Sequence, residues 1–155
     1  MELYLEDQIS KYKNILDKPR IGIFLMGIPG SGKSTIVKQF IENLLGILLY
    51  HIYISNSEYS YTMNNFININ PDEIVKTLPE YEENDTHKFL GIGARLSNKV
   101  FNNIIEEGKH NFIYDGTGKL FGTYLKKIQK AKETKYFTIL LDVKADLLKC
   151  YQRMV

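Results

Sequence analysis

The chain has 155 residues, of which 44% are hydrophobic and 25% are charged, and its formal net charge at pH 7 is +2. These values are typical of one soluble globular domain over residues 1–155, and so small a charge does not indicate a nucleic acid or membrane partner. The single cysteine, Cys150, excludes an internal disulfide framework and favours a reducing, cytoplasmic compartment, and no apolar run reaches membrane-spanning length.

The first predicted element is an amphipathic helix over residues 2–16. Leu5, Ile9 and Ile15 fall on one face of it, and the Asp-Lys-Pro of residues 17–19 ends it. The acidic opening MELYLEDQ does not resemble a secretory signal. We expect this helix to pack against the domain.

A phosphate-binding loop is the strongest signal in the sequence. The apolar residues 21–26 predict a strand buried on both faces, and residues 27–34 match G-x-x-x-x-G-K-[ST] at every fixed position. The glycines let backbone N–H groups surround phosphate oxygens, Lys33 reaches the β- and γ-phosphates, and the Ser34 hydroxyl takes a Mg²⁺ position. The predicted nucleotide-binding residues are Gly27, Ile28, Pro29, Gly30, Ser31, Gly32, Lys33, Ser34 and Thr35.

The segment after this loop is predicted to form a helix and then a strand. Apolar residues at helical spacing predict a helix over residues 33–46, with Gly46 as its stop. The apolar residues 48–54 are interpreted as a strand, in which His51 is a strand residue rather than a metal ligand. Residues 56–65 are predicted to be a polar loop.

A second candidate site follows the predicted strand at residues 66–69. Asn70, Pro71 and Glu73 fit the N-cap, N1 and N3 positions of a helix start, with Glu73 as the capping-box partner. Asp72 then lies at the carboxyl edge of a sheet, where ligands bind in open α/β folds. Its carboxylate is interpreted as a general base that accepts the proton of an attacking hydroxyl. Compensation of the helix dipole is the alternative.

The second half of the chain is predicted to continue the alternation of helices and strands. Arg95 begins a predicted helix that ends at Glu107 and is capped by Gly108. The Gly-Ile-Gly of residues 91–93 is interpreted as a flexible turn or helix start before it. Residues 111–115 predict a strand ending in Asp115, which is a candidate for helping to hold Mg²⁺. A helix cap is the alternative for that carboxylate.

The last predicted elements are a lysine-rich helix over residues 119–133, a buried strand over residues 136–143 and a helix from Asp146. Leu120, Tyr124 and Ile128 are predicted to face inward. The lysines at positions 126, 127, 130 and 132 are predicted to face outward. We interpret them as a solvated face rather than a nucleic-acid surface.

Three stretches of the chain resemble the zeta toxin family of P-loop kinases. They are the NPDEIV of residues 70–75, the LPEY of residues 78–81 and the YDGTG of residues 114–118, and the resemblance extends over residues 20–155. It implies a three-layer α/β P-loop NTPase fold with a mostly parallel sheet in the order 2-3-1-4. It also implies ATP or GTP with Mg²⁺ as cofactors, UDP-N-acetylglucosamine as acceptor and an inhibitory antitoxin-like protein as partner. The 5′-hydroxyl of a nucleic acid is the alternative acceptor, because polynucleotide kinases share a related core.

The resemblance also implies roles for individual residues. Asp72 corresponds to the catalytic aspartate, and Arg153 to an arginine that stabilises the transferring phosphoryl group. Thr117 falls in the turn that helps to hold the sugar nucleotide, and Glu73 and Arg95 are further candidates for substrate binding. Lys33 and Ser34 correspond to the phosphate and metal residues, with Asp115 as the second metal residue.

The sequence departs from the family pattern in two places. Residues 91–97 lack the acidic or serine-rich pattern expected after LPEY, and the chain ends two residues after Arg153. A lid and a last strand are therefore expected to be missing. Since loss of a finger-type arginine lowers phosphoryl-transfer rates by about 10³–10⁵-fold, an inactive nucleotide-binding module is the alternative to a kinase.

Overall fold

The fold is built on a parallel four-stranded sheet. The computed structural model describes residues 20–28, 30–53, 60–79, 86–116, 121–144, 148 and 152. Its strands are β1 (Ile21–Met26), β2 (Phe66–Ile69), β3 (Asn111–Asp115) and β4 (Phe137–Asp142), in the order β2-β3-β1-β4. All three strand pairs are parallel, with Phe24 opposite Tyr114 on one side and Leu140 on the other. The predicted α/β class and strand order are confirmed.

Helices cover both faces of this sheet, as predicted. One face carries α1 (Lys33–Gln39), a π-helical segment (Phe40–Leu45) and α2 (Gly46–Tyr53), which follow one another without a break. The other face carries α4 (Thr86–Glu107) and α5 (Phe121–Glu133), while the short α3 (Pro71–Val75) follows β2. Each face has its own apolar cluster against the sheet. The predicted helix at residues 2–16 lies outside the described residues. The same holds for the helix predicted from Asp146, of which only residues 148 and 152 are described.

The predicted strand over residues 48–54 is wrong, because the described part of that run is helical. Gly46 has right-handed helical angles, φ −61° and ψ −41°, and does not stop the helix. The reason is a stripe of fully buried side chains at a spacing of four, Val37, Ile41, Leu45 and Leu49, which continues through Gly46. His51 is an exposed helical residue at the end of that run.

The π-helical segment explains how this stripe stays on one face. In an α-helix a spacing of four residues drifts by about 40° per step, because 3.6 residues complete a turn. The wider turns of a π-helix reduce that drift. The segment Phe40–Leu45 lies between the first and last members of the stripe, so all four side chains reach the core.

The helix predicted to begin at Arg95 begins nine residues earlier, at Thr86. The Gly-Ile-Gly of residues 91–93 therefore lies inside α4 and is neither a turn nor a helix start. A Cβ atom on Gly93 would come within 2.9 Å of both the Pro71 carbonyl oxygen and Val75 Cγ1. Gly93 thus lets α4 approach the backbone of α3. The predicted end of α4 is confirmed, since Gly108 follows Glu107 with φ +62°.

This close approach leads to a pair of opposite expectations for two glycines of the same helix. Gly93→Ala is expected to destabilise the protein by about 1–3 kcal/mol through overpacking against α3. A Cβ on Gly91 would meet nothing within 4 Å. Gly91→Ala is therefore expected to stabilise by about 0.5–1 kcal/mol through helix propensity alone. Urea unfolding of both variants measures these changes in the free energy of unfolding. Equal stabilisation by the two substitutions would contradict the close approach of α4 to α3.

Two predictions of burial in the second half of the chain need correction. Lys127, predicted to face outward, is half-buried, with its ammonium 5.5 Å from the Tyr114 ring centroid and 5.8 Å from that of Phe101. Burial, and then the charge of Lys130, lower the pKa of Lys127. The strand predicted to be strongly buried is half-exposed, with Leu140 at 45%. Among the described residues β4 pairs on one side only, with β1.

Candidate active site

The loop between β1 and α1 has the backbone of a phosphate cradle. Gly27, Gly30 and Gly32 all have positive φ angles, of 153°, 81° and 86°, which side chains disfavour. The Ser31 N–H donates to the Ile28 carbonyl at 3.1 Å and closes the turn. The observed backbone conformation thus explains why glycine is needed at these three positions.

The side chains of this loop fit a bound phosphate group. Ser31 Oγ is buried and has no hydrogen-bond partner among the described residues. A buried hydroxyl without a partner is costly, and an anion at the loop would supply one. The Lys33 side chain, two residues further along the chain, is 17% exposed, while Ser34 and Thr35 are exposed at the start of α1. These donors match the chemistry of nucleotide phosphates.

Lys33 is held by the end of β3. Its Nζ lies 3.1 Å from Asp115 Oδ1 and donates to the Gly116 carbonyl at 3.2 Å. The pair is well shielded, since the Asp115 side chain is 13% exposed. Asp115 therefore lies beside the phosphate loop, where the metal hypothesis places it.

Asn70 connects Asp115 to the helix that carries Asp72. Its side-chain Oδ1 accepts from the Asp72 backbone N–H at 3.0 Å, which confirms the predicted N-cap. Its Nδ2 donates to Asp115 Oδ2 at 3.3 Å. A continuous series of polar contacts thus runs from Lys33 through Asp115 and Asn70 to Asp72. Asp72 is exposed, so the structure brings an accessible carboxylate to the same sheet edge as the phosphate loop.

Comparison with known proteins decides the family. The model of the family described as zeta toxin matches residues 5–153. The chain belongs to the zeta toxin family. No curated protein sequence matches it.

Two solved structures show that the fold of this zeta toxin family member is shared. One is from a study of the PezAT chromosomal toxin-antitoxin system of Streptococcus pneumoniae, with a TM-score of 0.65 and 17% identity. The alignment covers 99% of this chain and 59% of that one. The other is the complex of AvrRxo1-ORF1 with AvrRxo1-ORF2, with a TM-score of 0.61 and 16% identity, covering 98% of this chain and 47% of that one. The chain thus spans about half the length of the solved chains it matches.

Other predicted site residues of this family member differ in how the structure places them. Glu73, expected to complete a capping box and to bind substrate, is exposed and pairs with Lys76 at 3.1 Å. Arg95 is exposed on α4, two residues beyond Gly93, at which α4 crosses α3. Substrate binding by Glu73 and by Arg95 stays a prediction. Pro29, Thr117 and Arg153 lie outside the described residues.

One supporting residue was predicted only as a core residue. The buried Tyr124 hydroxyl donates to the Leu25 carbonyl at 2.9 Å, and a Cβ on Gly116 would meet that hydroxyl. Burial, and then the neighbouring Tyr114 and Asp115, raise the pKa of Tyr124. The neutral phenol therefore packs under the turn that follows Asp115. Its inward position on α5 was predictable from helical spacing, but its hydrogen bond was not.

The described residues contain no helix that is both long and apolar enough to cross a bilayer.

Proposed function

We propose that this zeta toxin family member is an ATP- or GTP-dependent kinase that phosphorylates a hydroxyl group of a second substrate. The observation that carries the proposal is the series of contacts from Lys33 to the Asp72 backbone N–H, because it joins a phosphate loop to the helix start that carries an accessible carboxylate. A kinase needs both, since one binds the donor phosphates and the other accepts the proton of the acceptor.

In the proposed reaction each residue of the site has a distinct task. The loop N–H groups and Lys33 bind the β- and γ-phosphates, for which Lys33 must leave Asp115. Ser34 and Asp115 would hold Mg²⁺, which when bound neutralises developing charge on the phosphates. Asp72 takes the proton as the acceptor O–H bond breaks and the new O–P bond forms. The bond from the γ-phosphorus to its bridging oxygen breaks, and the nucleoside diphosphate leaves.

The proposed acceptor is a sugar nucleotide such as UDP-N-acetylglucosamine. The sequence match to the zeta toxin family supports this choice, and Thr117, Glu73 and Arg95 are the proposed contacts. A 5′-hydroxyl end of a nucleic acid is the second acceptor to be tested. Arg153 is proposed to stabilise charge on the transferring group.

A test of this function uses the purified chain, Mg²⁺ and γ-labelled ATP or GTP. Sugar nucleotides, 5′-hydroxyl oligonucleotides and water alone are supplied as acceptors. The expected result is transfer of label to a sugar nucleotide. Nucleotide-dependent thermal stabilisation without transfer to any acceptor would instead identify a nucleotide-binding module.

We propose in addition that an antitoxin-like protein inhibits this chain. The proposal is supported by one structural neighbour, which comes from a study of a toxin-antitoxin system. Expression of the chain in a bacterial host tests this proposal. Growth arrest is expected when the chain is expressed without an inhibitory protein.

A further inference from the structure

We infer that Asn70 is a positioning residue that sets the orientation of the Asp115 carboxylate for Mg²⁺. The inference rests on the proposed function, because it concerns the proposed metal site. It goes beyond that function in assigning to Asn70 a task separate from capping α3.

The two hydrogen bonds of Asn70 use opposite ends of its side-chain amide. Oδ1 accepts from the Asp72 N–H at 3.0 Å, and Nδ2 donates to Asp115 Oδ2 at 3.3 Å. This orientation is fixed by chemistry, since a backbone N–H can only donate and a carboxylate can only accept. A helix cap needs the oxygen alone, and Ser, Asp or Asn serve it about equally. The bond to Asp115 is therefore not required by the cap.

The two oxygens of Asp115 have different partners, and nucleotide binding affects them differently. Oδ1 contacts the Lys33 ammonium at 3.1 Å, and Oδ2 accepts from Asn70. When Lys33 turns to a phosphate, Oδ1 loses its cation, while Oδ2 keeps the amide of Asn70. Asn70 thus prevents the carboxylate from rotating and leaves Oδ1 facing the loop. Hydrogen bonds of this kind to a ligating carboxylate change metal affinity or activity by about 10–100-fold.

The experiment separates capping from positioning with a variant that keeps one and removes the other. Asn70→Ser keeps a good cap but lacks the amide nitrogen, while Asn70→Ala loses both. Asn68→Ser is the matched control, because Asn68 is exposed on β2, two positions before Asn70. For each variant we would measure Tm, ATP affinity without Mg²⁺, and the Mg²⁺ concentration that half-saturates its effect on ATP binding.

Asn70→Ser is expected to keep the Tm and the Mg²⁺-free ATP affinity of the parent protein. Its half-saturating Mg²⁺ concentration should rise about 10–100-fold, and kcat should fall at limiting Mg²⁺. Asn70→Ala should show the same Mg²⁺ defect with a lower Tm. An Asn70→Ser protein with the parental Mg²⁺ dependence would overturn the inference and leave Asn70 as a cap.

A double-mutant comparison tests whether Asn70 acts through Asp115. In an Asp115→Asn background, adding Asn70→Ser should change the Mg²⁺ dependence no further. An additive effect would overturn the inference even if Asn70→Ser alone were unstable. Failure of the proposed function is distinguishable, because nucleotide binding and its Mg²⁺ dependence are read without any acceptor or turnover.

Discussion

Asp72→Asn is expected to lower the rate of phosphoryl transfer by about 10²–10⁴-fold, the usual contribution of a general base. The amide cannot take the proton of the attacking hydroxyl, yet it is close to the carboxylate in size. The backbone N–H that Asn70 caps is unchanged, so α3 and the Asn70 bond to Asp115 should persist. ATP affinity should therefore be close to that of the parent protein.

The control for this variant is Glu106→Gln, which also replaces a carboxylate with an amide. Glu106 is exposed on α4 and has no role in the proposed site. Its transfer rate should be within a few-fold of the parent rate. Single-turnover kinetics with labelled ATP compares the two variants. Full activity in Asp72→Asn would refute its assignment as the base.

Lys33→Met is expected to weaken ATP binding by about 10–100-fold, because a hydrogen bond to a charged group contributes roughly 1.5–3 kcal/mol. The nucleotide-dependent rise in Tm should be lost accordingly. The ligand-free protein should also be less stable, since the shielded Asp115 carboxylate would lose its cation. Calorimetry and thermal unfolding measure the two effects separately.

Two controls separate the structural from the binding role of Lys33. Adding Asp115→Asn to Lys33→Met removes the unpaired charge and should restore Tm without restoring ATP affinity. Lys38→Met removes an exposed lysine of the same helix and should change neither quantity. Parental ATP affinity in Lys33→Met would contradict the phosphate-loop assignment.

Much of the sheet was predictable from local pattern. The apolar run of β1, the cap residues at Asn70 and Pro71, and the acid at the end of β3 are each readable within a few residues, and all three are found. The loop glycines follow from the same kind of rule, because tight turns around phosphate exclude side chains. These features need no knowledge of distant partners.

The wrong predictions concern segments whose local sequence fits two structures equally well. The apolar run of residues 48–54 suits a strand or a buried helix, and the burial of Leu45 and Leu49 on one helical face decides for a helix in its described part. Gly93 suits a turn locally, but its neighbours Pro71 and Val75 come from another helix. Lys127 fits a solvent-exposed helix face by sequence, but in the fold its ammonium lies over the rings of Phe101 and Tyr114.

A phosphate loop, a capped aspartate and a strand-terminal aspartate were all predictable from local sequence, because each depends on neighbours in the chain. That they share one edge of the sheet follows only from the packing of the strands. Asn70 and Asp115 are 45 positions apart, and the parallel pairing of β2 with β3 brings their side chains into contact. The pairing of β1 with β3 does the same for Lys33 and Asp115. Strand order, which no local pattern encodes, therefore assembles the site.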